Sequence, residues 1–467
     1  MGPKHKSYKR SSPLGRANQL RPASVITSSA VASLLAALFG ISAISGADFR
    51  MIMLDITMLV AWVSVALGAI KLLACLIPRR KLSEAISHDN LPTYTIILPL
   101  FDEAHMVRPL CEALSRLNYP TDKLDIILAC EAEDKNTIMA AQQAASEPFR
   151  VLIVPPVYPG GPPQTKPRAL NYALARSSGT LVTIFDAEDR PHPDQLQQAA
   201  SAFTAHPDWV ALQAPLDYFN TRDSWLAAQF GLEYAGLFHV LLPFYDRLNL
   251  PFPLGGTSNH MRRDVLEAVG GWDPHNVTED ADLAFRLASE GGQIGWIQPP
   301  TEEEAVSSLR PWFKQRSRWL KGYIQTWLVH MNAPLTGGWR RAVMLQLTLG
   351  FSLLSVAFFA PVMMALGLLG LAKSLGITEI GLPTIYLGAL GFSLLCGMIV
   401  GALGAIRSGK RHLLWHVPLM PLYWLLLFPP LIQALIELRT RPFHWHKTEH
   451  GVTSHSLTDA PPNEARL

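Results

Sequence analysis

The apolar residues of this chain fall into two regimes. Residues 23–47, 342–372, 381–406 and 413–436 contain no charged side chain, and residues 51–77 contain only Asp55 and Lys71, both near the ends. Each run is long enough to cross bilayer hydrocarbon as a helix, with the two charges of 51–77 placed at headgroup level. Between the second and third runs the pattern breaks into short apolar segments at 94–98, 124–130, 150–154 and 181–185, separated by helical stretches. That alternation predicts right-handed βαβ units and a mostly parallel sheet, hence an α/β domain inserted between transmembrane helices.

Composition agrees: 49% of residues are hydrophobic and 16% charged, a balance typical of membrane proteins. Residues 1–21 carry Lys and Arg without an acid, and Pro78-Arg79-Arg80-Lys81 follows the second run. Basic residues beside spans stay in the cytosol, so both flanks, and the α/β domain after them, are expected there, in the inner (plasma) membrane of a cell. The expected organisation is a basic disordered tail at 1–22, two transmembrane helices within 23–78, the cytosolic α/β domain at 90–308, an amphipathic interfacial helix at 309–335, three or four transmembrane segments within 341–437, and a cytosolic tail at 438–467. Residues 342–372, with Pro361 inside, could form one span or a hairpin. A cleaved signal peptide at 23–47 is disfavoured because a second span follows directly. Cys75, Cys111, Cys130 and Cys396 lack metal-like spacing and are expected as free thiols.

Candidate chemistry gathers at the segment ends. Residues 181–189, LVTIFDAED, run from a buried strand into Asp186, Glu188 and Asp189, and the C-terminal edge of an open α/β sheet is where ligands bind. Carboxylates at i and i+2 can share one hard cation such as Mg²⁺ or Mn²⁺, although an acidic solvated turn has the same composition. Residues 158–171 form a Gly/Pro loop entering a helix with Lys166 and Arg168 at its start, which suits an anion or a plain surface loop. An aromatic-rich helix over 220–248 is expected to pack on the sheet. Thr278 reads as an N-cap before Glu279, Asp280 and Asp282, acids that could serve the helix dipole alone.

Taken together, FDAED at a strand end, Thr278-Glu279-Asp280 at a helix start and Gln315-Arg316-Ser317-Arg318-Trp319 before the membrane returns resemble the DxD, TED and QxxRW motifs of membrane-embedded family 2 glycosyltransferases, the group of cellulose, curdlan and hyaluronan synthases. The resemblance spans residues 94–330. It implies a GT-A glycosyltransferase fold with Glu103 and Glu131 in the nucleoside pocket, Glu131 standing where Asp is usual. It implies Lys166 near the diphosphate, Asp186 and Glu188 as metal-holding acids with Glu in place of the second Asp, Asp280 as general base, and Gln315, Arg318 and Trp319 beside acceptor and diphosphate.

The expected protein is therefore an inverting hexosyltransferase using a nucleotide sugar, UDP-glucose first, with Mg²⁺ or Mn²⁺. The leading expectation for product is a β-linked polysaccharide, and the alternative is one sugar added to a lipid acceptor. An inactive scaffold subunit and an unrelated transporter rank below both, since base and metal acids are present and the spans hold few polar residues. No nucleic-acid partner is expected, nor a C-terminal cyclic di-GMP receptor like that of cellulose synthase.

Overall fold

The computed structural model describes residues 49–81, 83–157, 163–377 and 384–443. The basic tail, the first expected span and the tail past residue 443 lie outside the described residues. The main sheet comprises β1 (Tyr94–Leu100), β2 (Leu124–Glu131), β3 (Phe149–Val154), β4 (Leu181–Ile184), β6 (Trp209–Gln213), β8 (Asn259–Arg262) and β9 (Gln293–Trp296), in the order β3-β2-β1-β4-β8-β6-β9. A smaller sheet joins β5 (Arg190–Pro191), β10 (Thr301–Glu303) and β7 (Leu216–Tyr218) in the order β5-β10-β7.

Strands β1 to β4 pair in parallel, and β8 runs antiparallel to β4 and β6. The expected segments 94–98, 124–130, 150–154 and 181–185 all fall on strands; β1, β2 and β4 are covered on both faces, while β3 is the edge strand with Ile153 exposed. Ile97, Ile127, Val182 and Ile184 pack into one core, and Tyr94, Ile96, Leu98, Ile126 and Leu128 into another on the opposite side. A strand buried on both faces reads as a continuous apolar run. Asn259–Arg262 and Gln293–Trp296 contain no such run, and pairing alone places them.

The helices that build the site and its anchor are α1 (Phe49–Leu76), α2 (Lys166–Leu174), α3 (Trp225–Gly236), α4 (Glu279–Ser289), α5 (Leu309–Met331), α6 (Phe351–Ser374), α7 (Thr384–Arg407) and α8 (Phe428–Thr440). Among the described residues three helical runs are long and apolar enough to cross a membrane: Trp339–Ser374, Thr384–Arg407 and Arg411–Thr440. The first is continuous through Pro361, with a wider turn at Gln346–Gly350, so the hairpin alternative for 342–372 does not form.

Helix α3 packs on the smaller sheet as expected, with Phe230 and Tyr234 at 5.0 and 4.5 Å from the Tyr218 ring of β7, and its other side meets the apolar helices. It continues through a π turn, Leu237–Leu241, into Leu242–Arg247, and packs along α7, where a Cβ on Gly404 would lie 2.3 Å from the Ala235 carbonyl carbon. Within the π turn the His239 carbonyl accepts from Arg79 (3.1 Å) and Arg407 (3.2 Å). Arg80 pairs with Asp246 at 2.9 Å and reaches Asn249 at 2.6 Å. The juxtamembrane arginines, legible in sequence only as topology signals, thus clamp the α/β domain to the ends of α1 and α7.

Helix α5 starts where the expected 309–335 helix does, ends at Met331, and has a different surface from the one expected. Beyond Lys314 none of its residues is exposed, and Gln315, Arg316, Lys321, Gln325 and Thr326 are buried. Protein covers its polar face: Lys321 pairs with Glu437 of α8 at 3.0 Å, and Asn276 donates to Thr326 at 2.9 Å. The segment before α4 crosses α5 at Gly322, where a Cβ would meet the Thr278 side chain at 2.4 Å. Gly322→Val is therefore expected to lower thermal stability in detergent by about 1–3 kcal/mol through overpacking. Gly367→Val, with nothing within 4 Å of the added Cβ, should leave it unchanged, and equal melting temperatures would refute the close approach.

Candidate active site

Strand β4 ends by delivering Asp186 and Glu188 to the sheet edge, and the turn after it is fixed by Asp189. The buried Asp189 carboxylate accepts from the Asp186 backbone N–H at 2.7 Å and from the Thr257 hydroxyl, whose oxygen also lies 3.1 Å from the Ile184 carbonyl oxygen. Asp189 is thus structural, and its neighbours face a cavity of about 680 Å³. That cavity is lined by every expected site residue: Glu103, Glu131, Lys166, Asp186, Glu188, Asp280, Gln315, Arg318 and Trp319.

At one end Asp102 adopts a left-handed φ of 55° and the Glu103 N–H bonds Thr137 Oγ1 at 3.0 Å, which turns Phe101 and Glu103 to the cavity wall. Glu131 is present but committed. Arg168 grips it at 2.9 and 3.3 Å and also donates to the Pro155 carbonyl. The expectation that Lys166 and Arg168 jointly face an anion is corrected here: Arg168 is buried against Glu131 and does not line the cavity, because a buried carboxylate needs a partner.

Lys166 does face it. Its Nζ lies 2.5 Å from Asp186 Oδ1 and donates to the Gly256 carbonyl at 2.8 Å. Burial works to lower this amine, but Asp186 and Glu279 outweigh it and hold Lys166 charged above its ordinary range. Carboxylates outnumber cations along the wall. Burial, then Asp186 and Glu103, pushes Glu188 up to about 8. Burial, then Glu279, pushes Asp280 up to about 7. Glu303, on β10, is raised well above the carboxylate range by burial and then by Asp189, Glu188 and Asp186. So many hard oxygens in a dry site suit a divalent cation. Among the described residues no three His, Cys, Asp or Glu side chains converge as a ready-made cage, which fits a cation held by two carboxylates and completed by ligand phosphates.

Asp280 sits at the start of α4 with Oδ1 accepting from the Ala281 N–H at 2.8 Å, while Oδ2 lies 3.8 Å from a Cβ built on Gly256. One oxygen is tethered and the other points to the cavity. Across it, Arg318 is under the field of Glu279, Asp186 and Asp280, and Gln315 Oε1 is buried without a hydrogen-bond partner. Trp319 packs on Phe230 (5.7 Å) and Tyr234 (6.2 Å). Its backing is Arg316, whose guanidinium lies 4.2 Å from the Phe230 ring centre and 4.9 Å from that of Trp319, paired with Glu233 at 2.9 Å and with the Tyr423 hydroxyl at 2.6 Å.

Sequence reasoning missed Glu279, Tyr234 and Glu303 as cavity residues. Glu279 stood inside the quoted TED triplet, and Tyr234 lay in a stripe that reads equally as core. Glu303 was hidden in the run Glu302-Glu303-Glu304, where only strand alternation distinguishes the middle acid.

Residues 181–436, more than half the chain, match the family described as glycosyl transferase family group 2. The beta-monoglucosyldiacylglycerol synthase of Synechocystis sp. is 25% identical over 78% of this chain and 76% of its own length. The cellulose synthase 1 catalytic subunit of Komagataeibacter xylinus is 26% identical over 53% of this chain and 33% of its own. Among solved structures, a mannosyltransferase from Pyrobaculum calidifontis in complex with GDP-Man and Mn²⁺ superposes with a TM-score of 0.51 at 19% identity, covering 79% of this chain and 98% of that one. The α/β domain has the GT-A-like fold that the motifs implied.

Two outcomes follow from the electrostatics. Asp280 and Glu188 have folded values above the ordinary carboxylate range, so the stability they contribute is lost as pH rises through about 7 and 8. A cation needs the ionised forms and restores it, so Mn²⁺ should raise the melting temperature more at pH 8 than at pH 6. An equal rise at both would contradict the placement. Removing the guanidinium in Arg316→Met leaves Glu233 with the Tyr423 hydroxyl at 2.7 Å as its remaining donor and should cost about 1–3 kcal/mol in chemical unfolding.

Proposed function

Because the chain belongs to glycosyl transferase family group 2, we propose that its cavity transfers a hexose from a nucleotide sugar, UDP-glucose first, to the hydroxyl of a lipid acceptor, with inversion. The observation that carries this reading is the reach of the cavity. From the carboxylates it runs without interruption past Trp319 and Tyr323 to Ser352 and Val356 of α6, a helix with no buried residue that presents Leu354, Phe358, Met364, Leu368 and Leu371 outward. An acceptor with an acyl portion can lie along such a wall while its head group meets the acids. The Synechocystis relative, named as a glucolipid synthase and matched over most of both chains, supports the same acceptor class. This reverses the order in which the sequence ranked polymer and glycolipid.

In this reading Asp280 Oδ2 takes the acceptor hydroxyl's proton as that oxygen attacks the anomeric carbon and the bond to the nucleoside diphosphate breaks. Its free-protein value of about 7 matches a base working near neutrality. Lys166 and Arg318 carry the charge that develops on the departing diphosphate. Asp186 and Glu188 would hold a divalent cation, Mg²⁺ or Mn²⁺, which when bound supplies further charge neutralisation at the diphosphate. Glu103 lies toward the nucleoside. The rings of Trp319 and Tyr234 offer an apolar face to a sugar, with Gln315 on the same wall.

Asp280→Asn should lower kcat by at least about 100-fold, the usual worth of a positioned base, while donor binding by calorimetry persists. Retained turnover would sink the assignment. Asp186→Ala should instead weaken Mn²⁺ and nucleotide binding together. Purified protein incubated with radiolabelled UDP-glucose and a diacylglycerol-containing membrane should place label in the organic phase. Label in a glucanase-sensitive polymer would favour the polysaccharide.

A further inference from the structure

We infer that Glu303 is a specificity-determining residue that hydrogen-bonds one ring hydroxyl of the hexose being transferred; the inference rests on the donor reading above. Alternation along β10 and past its end separates the three acids of this run. Glu302 and Glu304 act on Arg190, whose guanidinium lies 4.1 Å from the Phe219 ring centre, whereas Glu303 turns to the opposite side and lines the cavity. The strand is held there by its register with β7, Glu303 opposite Tyr218, and by the Phe219 N–H donating to the Glu303 carbonyl at 3.1 Å.

Glu303 has neighbours of two kinds. On one side are the carboxylates of Asp186, Glu188 and Asp189, and on the other Tyr218 and Tyr234, whose field registers the same acid. Glu303 therefore stands between the end that holds the diphosphate and the aromatic face formed by Tyr234 and Trp319, where the hexose of a bound donor must lie. Its Oε1 is sealed off from the cavity and makes no hydrogen bond with the protein, so the carboxyl meets the cavity through Oε2. A sugar hydroxyl can donate to the oxygen on the cavity side, and a carboxyl group beside an aromatic face discriminates epimers, because one that points the hydroxyl elsewhere leaves that oxygen unmatched.

The test is donor selectivity. Steady-state kcat/KM is measured for the wild type, Glu303→Gln and Glu303→Ala with UDP-glucose, UDP-galactose and the 2-, 3-, 4- and 6-deoxy analogues of UDP-glucose. Binding of UDP with Mn²⁺ is followed by calorimetry as the control for folding and for the diphosphate end. The wild type should reject one deoxy analogue by roughly tenfold or more. Glu303→Ala should erase the discrimination against that analogue alone, with UDP binding unchanged. Glu303→Gln, which keeps the side-chain volume, should shift the same ratio and no other. An active wild type whose whole donor profile survives both substitutions overturns this inference and leaves the proposed function standing. A wild type that transfers from no nucleotide hexose overturns both.

Discussion

The site depends on a surplus of buried carboxylate charge gathered around one lysine. Lys166 bridges the Asp186 carboxylate and the Gly256 carbonyl, thereby joining the end of β4 to the loop that precedes β8. Around that bridge Glu188, Glu279, Asp280 and Glu303 are all raised by burial and by one another. Such a cluster is poorly stable by itself, since charges taken from water into protein require partners. The strain is tolerable because the α/β sheet over-determines the positions of the strands that carry it. Positive charge entering the cavity would relieve this repulsion.

The second constraint is mechanical. The start of α4, which carries Asp280, and the helix α5 that carries Gln315, Arg318 and Trp319 come from separate segments, and their relative position shapes the cavity between them. It is set by buried polar contacts rather than by apolar packing alone: Asn276 to Thr326, Asp282 to His330 at 3.0 Å, and the close crossing at Gly322. Buried hydrogen bonds specify one register because every alternative leaves a polar group unpaired. Lys321 with Glu437, and Arg316 with Glu233 and Tyr423, extend this registration to helices of the membrane-facing side. The cavity and the apolar helices are thereby built as one body.

Much of this was legible in the chain because it depends on local pattern. Uncharged runs must be apolar helices in a membrane, strands buried on both faces must be continuously apolar, and the acids at segment ends fall at a sheet edge through chain geometry. The nine residues singled out from motifs all reach one cavity for that reason. Tertiary structure alone decided what each charge does once there. Arg168 and Lys166 are two positions apart on one helix, yet one is spent on Glu131 and the other faces the cavity. Arg79 and Arg80 read as topology signals and serve as clamps, and the polar face of α5 meets protein rather than solvent. Which of Glu302, Glu303 and Glu304 points inward is settled by pairing with β7. The physical reason is common to all of them: sequence shows that a group is charged, but the partner that balances the charge comes from a distant segment, and only folding brings it near.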